Sequence, residues 1–351
     1  MDVFKLLEDT ISQKASDLHI TVGVPPMMRI DGTLEPYSDK NLTPEDTEKY
    51  VEVILSEKQK NVLEELGQID FSYSVPGWGR FRVNAYKQRG SYAIAFRLIP
   101  TGIPTLQQLN LPDSLKEFTE LTRGLILVTG PTGSGKSTTL ASLINIINEQ
   151  RKDHILTLED PIEYLHSHKS SVVNQREMGN DSNSYAGALR AALRQDPDVI
   201  LIGEMRDLET ISIAITAAET GHLVLSTLHT IGAAKTIDRI IDVFPPHQQQ
   251  QVRVQLASVL QGVVSQQLFK RKNQSGRVAA LEIMKATPAI RNLIREGKAH
   301  QIQSSIQMGA RQGMITMDTF ILDLYRKGII SREDALLYSV DHESMKNKLH
   351  I

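Results

Sequence analysis

Apolar positions in the first part of the chain switch between two periods. "VFKLLEDTI" carries a helical stripe, whereas "SDLHITVG" and "PPMMRIDG" read as strands broken by glycine and proline. "TPEDTEKYVEVIL" predicts a capped helix, with Thr43 at the N-cap, Pro44 at the first helical position and Asp46 in the first turn. "QIDFSYSV", "GRFRVNAYKQ" and "SYAIAFRLI" alternate with period two, and Gly77, Gly79 and Gly90 mark turns. The spacing predicts a three-stranded antiparallel meander. Residues 1–99 therefore read as a small α+β domain, and the proline-rich 100–114 as a linker.

From about residue 115 the pattern changes. "GLILVTG", "HILTLED", "DVILIGE" and "HLVLSTLH" are continuous apolar runs separated by helical segments, the pattern of strands buried on both faces of a parallel sheet. The class is α/β, with a second domain over 115–351. Beyond about 245 the pattern predicts mostly helix, through "QQQVRVQLASVLQGVVSQQLF" and "MDTFILDLYRKG", with "RVAALEIM" as a strand. A helical C-terminal region is expected from about 287 onward.

Composition narrows the options. At 351 residues, two or three domains are expected. The net charge of −2, an aromatic content of 5% and the lack of a basic tail argue against nucleic acid as a partner. The sequence has no cysteine, which excludes disulfides, cysteine catalysis and a four-cysteine zinc site. The N-terminal stretch has acids and no long apolar core, so it does not read as a secretory signal. No apolar run approaches the roughly 20 residues of a membrane-spanning helix.

The strongest chemistry lies in "GLILVTGPTGSGKSTTL". Gly130, Pro131, Thr132, Gly133, Ser134, Gly135, Lys136, Ser137 and Thr138 form a Walker A loop between a strand and a helix. Its glycines turn backbone N–H groups toward phosphate, and the helix N-terminus adds positive potential. Lys136 is expected to reach the β- and γ-phosphates of ATP, and the Ser137 hydroxyl to ligate Mg²⁺. In "DVILIGEMRD", Gly203 occupies the place where many phosphate-loop proteins carry a metal-holding aspartate. Glu204 follows, as a general base for water or as a surface or capping glutamate. "HILTLEDPIEY" adds Glu159, Asp160 and Glu163 at a strand end, where ligands bind in open parallel sheets, although a solvated turn also favours Asp-Pro. His222 and His229 stand at the two ends of one predicted strand, too far apart to share a metal. One of them reads as a phosphate sensor, and either alone reads equally as a hydrogen-bonded structural histidine.

From Phe71 through Pro112 there is no acidic residue, while Arg80, Arg82, Lys87, Arg89 and Arg97 occur. Arg80 and Arg82 share a strand face, and Arg97 can join them from the next strand. This is a solvated sheet face or a set of arginine fingers for charge on the γ-phosphate.

Taken together, "GPTGSGKST", "LTLEDPIEY", "ILIGEMRD" and "TGHLVLSTLHT" resemble the Walker A, Asp-box, atypical Walker B and His-box motifs of the secretion ATPase superfamily, the hexameric motors of type II and type IV secretion and of type IV pili. The resemblance covers nearly the whole chain. Within it, the pilus-retraction type is indicated by three features. The chain opens directly on "SDLHI…PPMMRIDG"; the tetracysteine zinc element is missing; and "AIRNLIREG" matches a signature associated with retraction. Assembly or type II secretion ATPases and an accessory retraction paralogue are the sister readings.

The resemblance implies a PAS-like N-terminal domain and a RecA-like P-loop NTPase core. It also implies a homohexameric ring, Glu204 as base with Glu163 as a second candidate, and Glu159 and Asp160 near Mg²⁺, partly through water. Arg80, Arg82 and Arg97 would approach the phosphates, and His222 and His229 would sense phosphate and link subunits. An inner-membrane platform protein and the accessory paralogue are the implied partners, which puts the protein in the cytoplasm at the inner-membrane face of a pilus base. Ala289, Ile290, Arg291, Asn292, Leu293, Ile294, Arg295 and Glu296 would couple nucleotide state to pilus disassembly. Read from residues alone, they form an amphipathic helix capped by Thr287, with Ile290, Leu293 and Ile294 inward and Arg291, Asn292, Arg295 and Glu296 outward.

Overall fold

A computed structural model describes residues 2–75, 78–100 and 102–349. The chain divides into two compact units, residues 1–102 with 163–165, and residues 103–162 with 166–351. Gly77, expected at a turn, lies outside the described residues.

The first unit follows α1 (Val3–Ser12), β1 (Asp17–Ile20), β2 (Met27–Ile30), β3 (Thr33–Pro36), α2 (Pro44–Ile54), α3 (Glu57–Leu66), β4 (Gln68–Val75), β5 (Gly79–Gln88) and β6 (Ser91–Ile99). Its sheet has the order β3-β2-β1-β6-β5-β4, so the expected meander is half of a six-stranded antiparallel sheet. Alternation sets the faces: Phe81, Val83, Ile94 and Phe96 are buried against Leu6, Leu7 and Tyr50 of the helices. Helix α2 begins with a reciprocal capping box, the Thr43 hydroxyl accepting from Asp46 N and the Asp46 carboxylate from Thr43 N.

The second unit holds a seven-stranded sheet ordered β13-β12-β7-β11-β10-β8-β9. In chain order its elements begin β7 (Gly124–Thr129), α4 (Lys136–Gln150), β8 (His154–Glu159), β9 (Val172–Glu177), α5 (Tyr185–Ala192) and β10 (Val199–Ile202). They continue with α6 (Leu208–Glu219), β11 (Leu223–Leu228), α7 (Ala233–Asp242), α8 (Pro246–Val259), β12 (Leu260–Lys270) and β13 (Arg277–Lys285). Then come α9 (Pro288–Arg295), α10 (Ile302–Met308), α11 (Met317–Arg326), α12 (Arg332–Leu337) and α13 (His342–Leu349). All strand pairs are parallel except β12 with β13.

Successive residues of β7 serve opposite cores. Leu125 and Leu127 pack with α5 through α9, while Ile126 and Val128 pack with α4 and the 3₁₀ segment Asp113–Glu120. Double-sided burial explains the continuous apolar runs. Leu106 and Leu111, within the stretch read as a linker, are buried in the α4-side core.

The helical expectation for "QGVVSQQLF" is corrected. Helix α8 stops at Val259 and the chain enters β12, between β7 and β13. Val263 faces one core and Val264 the other. Apolar residues on both faces erase the period of two, so periodicity cannot distinguish this strand from a buried helix.

Candidate active site

The neighbouring strands β7, β11, β10 and β8 run parallel, and their C-terminal ends deliver the chemistry to one edge of the sheet. β7 leads into the glycine loop. Gly130, Gly133 and Gly135 have φ of 142°, 78° and 87°. At Gly130 space adds to conformation, because a Cβ there would lie 2.2 Å from the Gln266 carbonyl oxygen on β12. Lys136, at the first position of α4, is buried, and its Nζ donates to the carbonyls of Gly130 and Pro131 at 2.9 and 3.0 Å. The ammonium is thereby folded back over the loop. Ser137 and Thr138 follow in the first turn.

At the end of β10, Glu204 is well covered, with a side chain 13% exposed. One carboxylate oxygen pairs with Arg206, and the other lies 3.1 Å from His229 Nε2 at the end of β11. The site thus brings Glu204 and His229 together. His222 goes elsewhere. It precedes Leu223, at the opposite end of β11, where its Nδ1 lies 2.9 Å from the Ala217 carbonyl. A strand of that length separates the two histidines by about 20 Å.

Gly203 has a steric reason. Its N–H donates to the Leu158 carbonyl at 2.7 Å, and the Gly203 carbonyl accepts from the Thr227 hydroxyl at 2.6 Å. A Cβ would meet the Tyr185 hydroxyl at 2.9 Å and the Leu158 carbonyl oxygen at 3.2 Å. An aspartate does not fit there unless Tyr185 moves. Burial, then the charges of Asp160, Glu204 and Glu159, raise the Tyr185 phenol well above its ordinary value, so it remains a proton donor among carboxylates.

Glu159, the last residue of β8, accepts from the Thr157 hydroxyl at 2.6 Å and from Gln175 Nε2 at 3.1 Å. Asp160 follows it. Glu163 is exposed and belongs to the short segment grouped with the first unit.

In the first unit, Arg82 and Arg97 are direct cross-strand partners, and Arg80 lies on the same face of β5. Arg82 is exposed, and Arg80 donates to the Ser74 hydroxyl at 3.3 Å. Arg97 Nε donates to Asp17 Oδ1 at 2.9 Å. Burial alone would raise Asp17, but bonds from Ser16 and Arg97 and the charge of Arg97 hold it below the ordinary value. Lys87 pairs with Glu64 at 2.6 Å. The acid-free stretch of sequence is thus partly neutralised by acids from elsewhere in the unit.

Helix α9 is capped as expected: Thr287 accepts from Ile290 N at 3.3 Å. Ile290 and Ile294 are fully buried in the core that includes α5–α8, worth roughly 1.5–3 kcal/mol each. The expectation that Arg291 faces away is corrected. Its guanidinium donates to the carbonyls of Ala257 and Ser258 at 2.6 and 2.8 Å and to Gln261 Oε1 at 3.1 Å. It closes the C-terminus of α8, whose last carbonyls have no partner within the helix. Burial, then the charge of Arg295, lower its pKa. Asn292, Arg295 and Glu296 are exposed, with Asn292 Nδ2 donating to Glu296 at 2.7 Å.

Sequence reasoning did not assign Arg206, Tyr185 or Gln266. Arg206 lay within a quoted motif two residues past Glu204; the other two are joined to the site only through the fold.

A glycine loop with a buried lysine, and a covered glutamate at the end of a nearby parallel strand, define a P-loop nucleotide hydrolase. The chain belongs to the type II/IV secretion system protein family, whose pattern matches residues 2–336. It is 51% identical to the type IV pilus retraction ATPase PilT of Pseudomonas aeruginosa over 95% of this chain and 97% of that one. It is 42% identical to the type IV pilus ATPase PilU of the same organism, over 97% and 89%. A crystal structure of the pilus retraction motor PilT with bound ADP superposes with a TM-score of 0.92, at 51% identity and 99% coverage of each chain.

Proposed function

We propose that this chain is an ATPase motor that hydrolyses ATP to retract a type IV pilus and so drive twitching motility. The observation that carries the enzymatic part is the arrival of Lys136, Glu204 and His229 at one edge of a parallel sheet. The pilus assignment rests on likeness along the full chain, stronger to the retraction ATPase than to its PilU paralogue.

In this reading the loop N–H groups and Lys136 hold the β- and γ-phosphates. Glu204 accepts a proton from the attacking water, while His229 and Arg206 fix its orientation. The donor set suits Mg²⁺ carried with the nucleotide. Among the described residues no group of three or more acidic or histidine side chains can hold a metal unaided. Ser137 would bind the ion directly, with Glu159 and Asp160 acting through water; when bound, it neutralises phosphate charge.

Arg80, Arg82 and Arg97 supply further positive charge in a homohexameric ring, and His222 acts at subunit contacts. Mixing Arg82→Ala with Lys136→Ala subunits assigns the arginine: partial recovery of turnover requires sharing between subunits. Among the described residues no helix is long and apolar enough to cross a membrane. In this reading the protein works at the cytoplasmic face of the inner membrane through an inner-membrane platform protein, with the exposed part of α9 as the coupling surface and a PilU-like paralogue as an accessory.

The decisive test is deletion of the gene in its host. Excess surface pili with loss of twitching is the expected result. Bald cells would overturn the retraction reading in favour of assembly, and unchanged pili would overturn it altogether.

A further inference from the structure

Strand β12 carries none of the motifs that mark the site, yet it lies beside β7, on the side away from β11. Gln266 on this strand is 3% exposed. Its Nε2 donates to the Ser134 carbonyl at 2.7 Å, and its Oε1 accepts from the Thr139 hydroxyl at 2.8 Å. These partners fix the orientation of the amide, since a carbonyl only accepts. They flank Lys136 and Ser137, one on the loop and one in the first turn of α4. The Thr139 hydroxyl proton goes to Gln266 rather than back to a carbonyl of its own helix.

The backbone is fitted to the same residue. A Cβ on Gly130 would lie 2.2 Å from the Gln266 carbonyl oxygen, and one on Gly135 would lie 2.8 Å from Gln266 Nε2. Gly130 is thus required by the approach of the β12 backbone as well as by phosphate, and the bare Cα of Gly135 leaves room for the Gln266 amide. The support is stiff: β12 is paired on both sides, and Val263 and Val264 are fully buried. On the same strand, Gln261 accepts from Arg291 of α9.

We infer that Gln266 is a positioning residue for ATP hydrolysis. It holds the glycine loop and the first turn of α4 in the register at which Lys136 and Ser137 meet the phosphates as charge develops. This rests on the P-loop ATPase reading above. A small displacement of such a loop lowers turnover more than binding, because the reactive geometry is narrower than the bound one.

The test uses the full-length protein and compares the parent with Gln266→Met, Thr139→Val, the double variant and Lys136→Ala. Steady-state ATP hydrolysis, affinity for mant-ADP and thermal midpoint are measured for each. Gln266→Met is expected to lower kcat about tenfold or more while KM and mant-ADP affinity stay within about threefold. Thr139→Val removes one of the two bonds and is expected to lower kcat about threefold. The double variant should be no slower than Gln266→Met, because both remove a shared contact.

An unchanged kcat in Gln266→Met would overturn the inference. So would a parallel fall in kcat, mant-ADP affinity and midpoint, which marks a purely structural role, or additive losses in the double variant. If Gln266→Met does not fold, Thr139→Val decides alone, and full activity there overturns the inference. A parent protein with no more turnover than Lys136→Ala would instead refute the ATPase reading.

Discussion

Arg291→Ala separates architecture from function within the α9 motif. The guanidinium makes contacts of 2.6, 2.8 and 3.1 Å, two of them to the terminal carbonyls of α8. A hydrogen bond to a charged group contributes about 1.5–3 kcal/mol. Arg291 is only partly buried and Ser258 is exposed, so water replaces some of what alanine removes. The expected loss is about 2–4 kcal/mol. For a domain of this size each kcal/mol lowers the midpoint by about 2–4 °C, giving a fall of roughly 5–15 °C. Arg295 makes a single 3.4 Å bond to Asn292 at the surface, so Arg295→Ala should cost less than about 0.5 kcal/mol. Thermal unfolding and ATP hydrolysis, measured on both variants, give the comparison. Arg291→Ala should be destabilised, whereas Arg295→Ala should keep parental stability and turnover and fail in retraction. Equal midpoints for the two variants would refute the capping role of Arg291. Arg291→Lys should recover only part of the loss, since an ammonium lacks the fork that spans these acceptors.

Glu204→Gln should retain mant-ADP binding and lower turnover by about a thousandfold, measured by phosphate release; parental turnover would remove Glu204 as base. Gly203→Ala should cost about 1–3 kcal/mol and impair hydrolysis, with partial recovery in Gly203→Ala/Tyr185→Phe, where the opposing hydroxyl is gone. No recovery in the pair would show that Tyr185 is not the obstacle. Burial, then Lys169, hold His166 down at about 4, against 6.5 for an ordinary histidine. The unfolded chain therefore takes the proton first. The contribution of His166 is complete above pH 6.5, is lost as pH falls from there through 4, and amounts to at most about 3 kcal/mol. His166→Gln should flatten the fall in thermal midpoint between pH 7.5 and 5; parallel curves would contradict this.

Much of this protein is determined by short-range sequence. The glycine loop, the capping box at Thr43, the Thr287 cap and the strand ends bearing Glu159, Gly203 and Glu204 all depend on interactions within a few residues. Such interactions leave a readable spacing. Strand β12 did not, because burial on both faces removes the alternation by which a strand declares itself. Nor did sequence decide which partners meet across the fold. Asp17 reaches Arg97, Gln266 reaches Ser134, and Tyr185 closes on Gly203, all across long stretches of chain. His222 and His229 share one motif, yet parallel strand direction sends only His229 to Glu204. Arg291 looks like a surface charge on a helical wheel and becomes a cap only because α8 ends beside it. Local hydrogen bonding and periodicity marked the phosphate loop and most elements, β12 excepted. The order of strands, chosen by burying both faces of the sheet at once, fixed which side chains surround the loop.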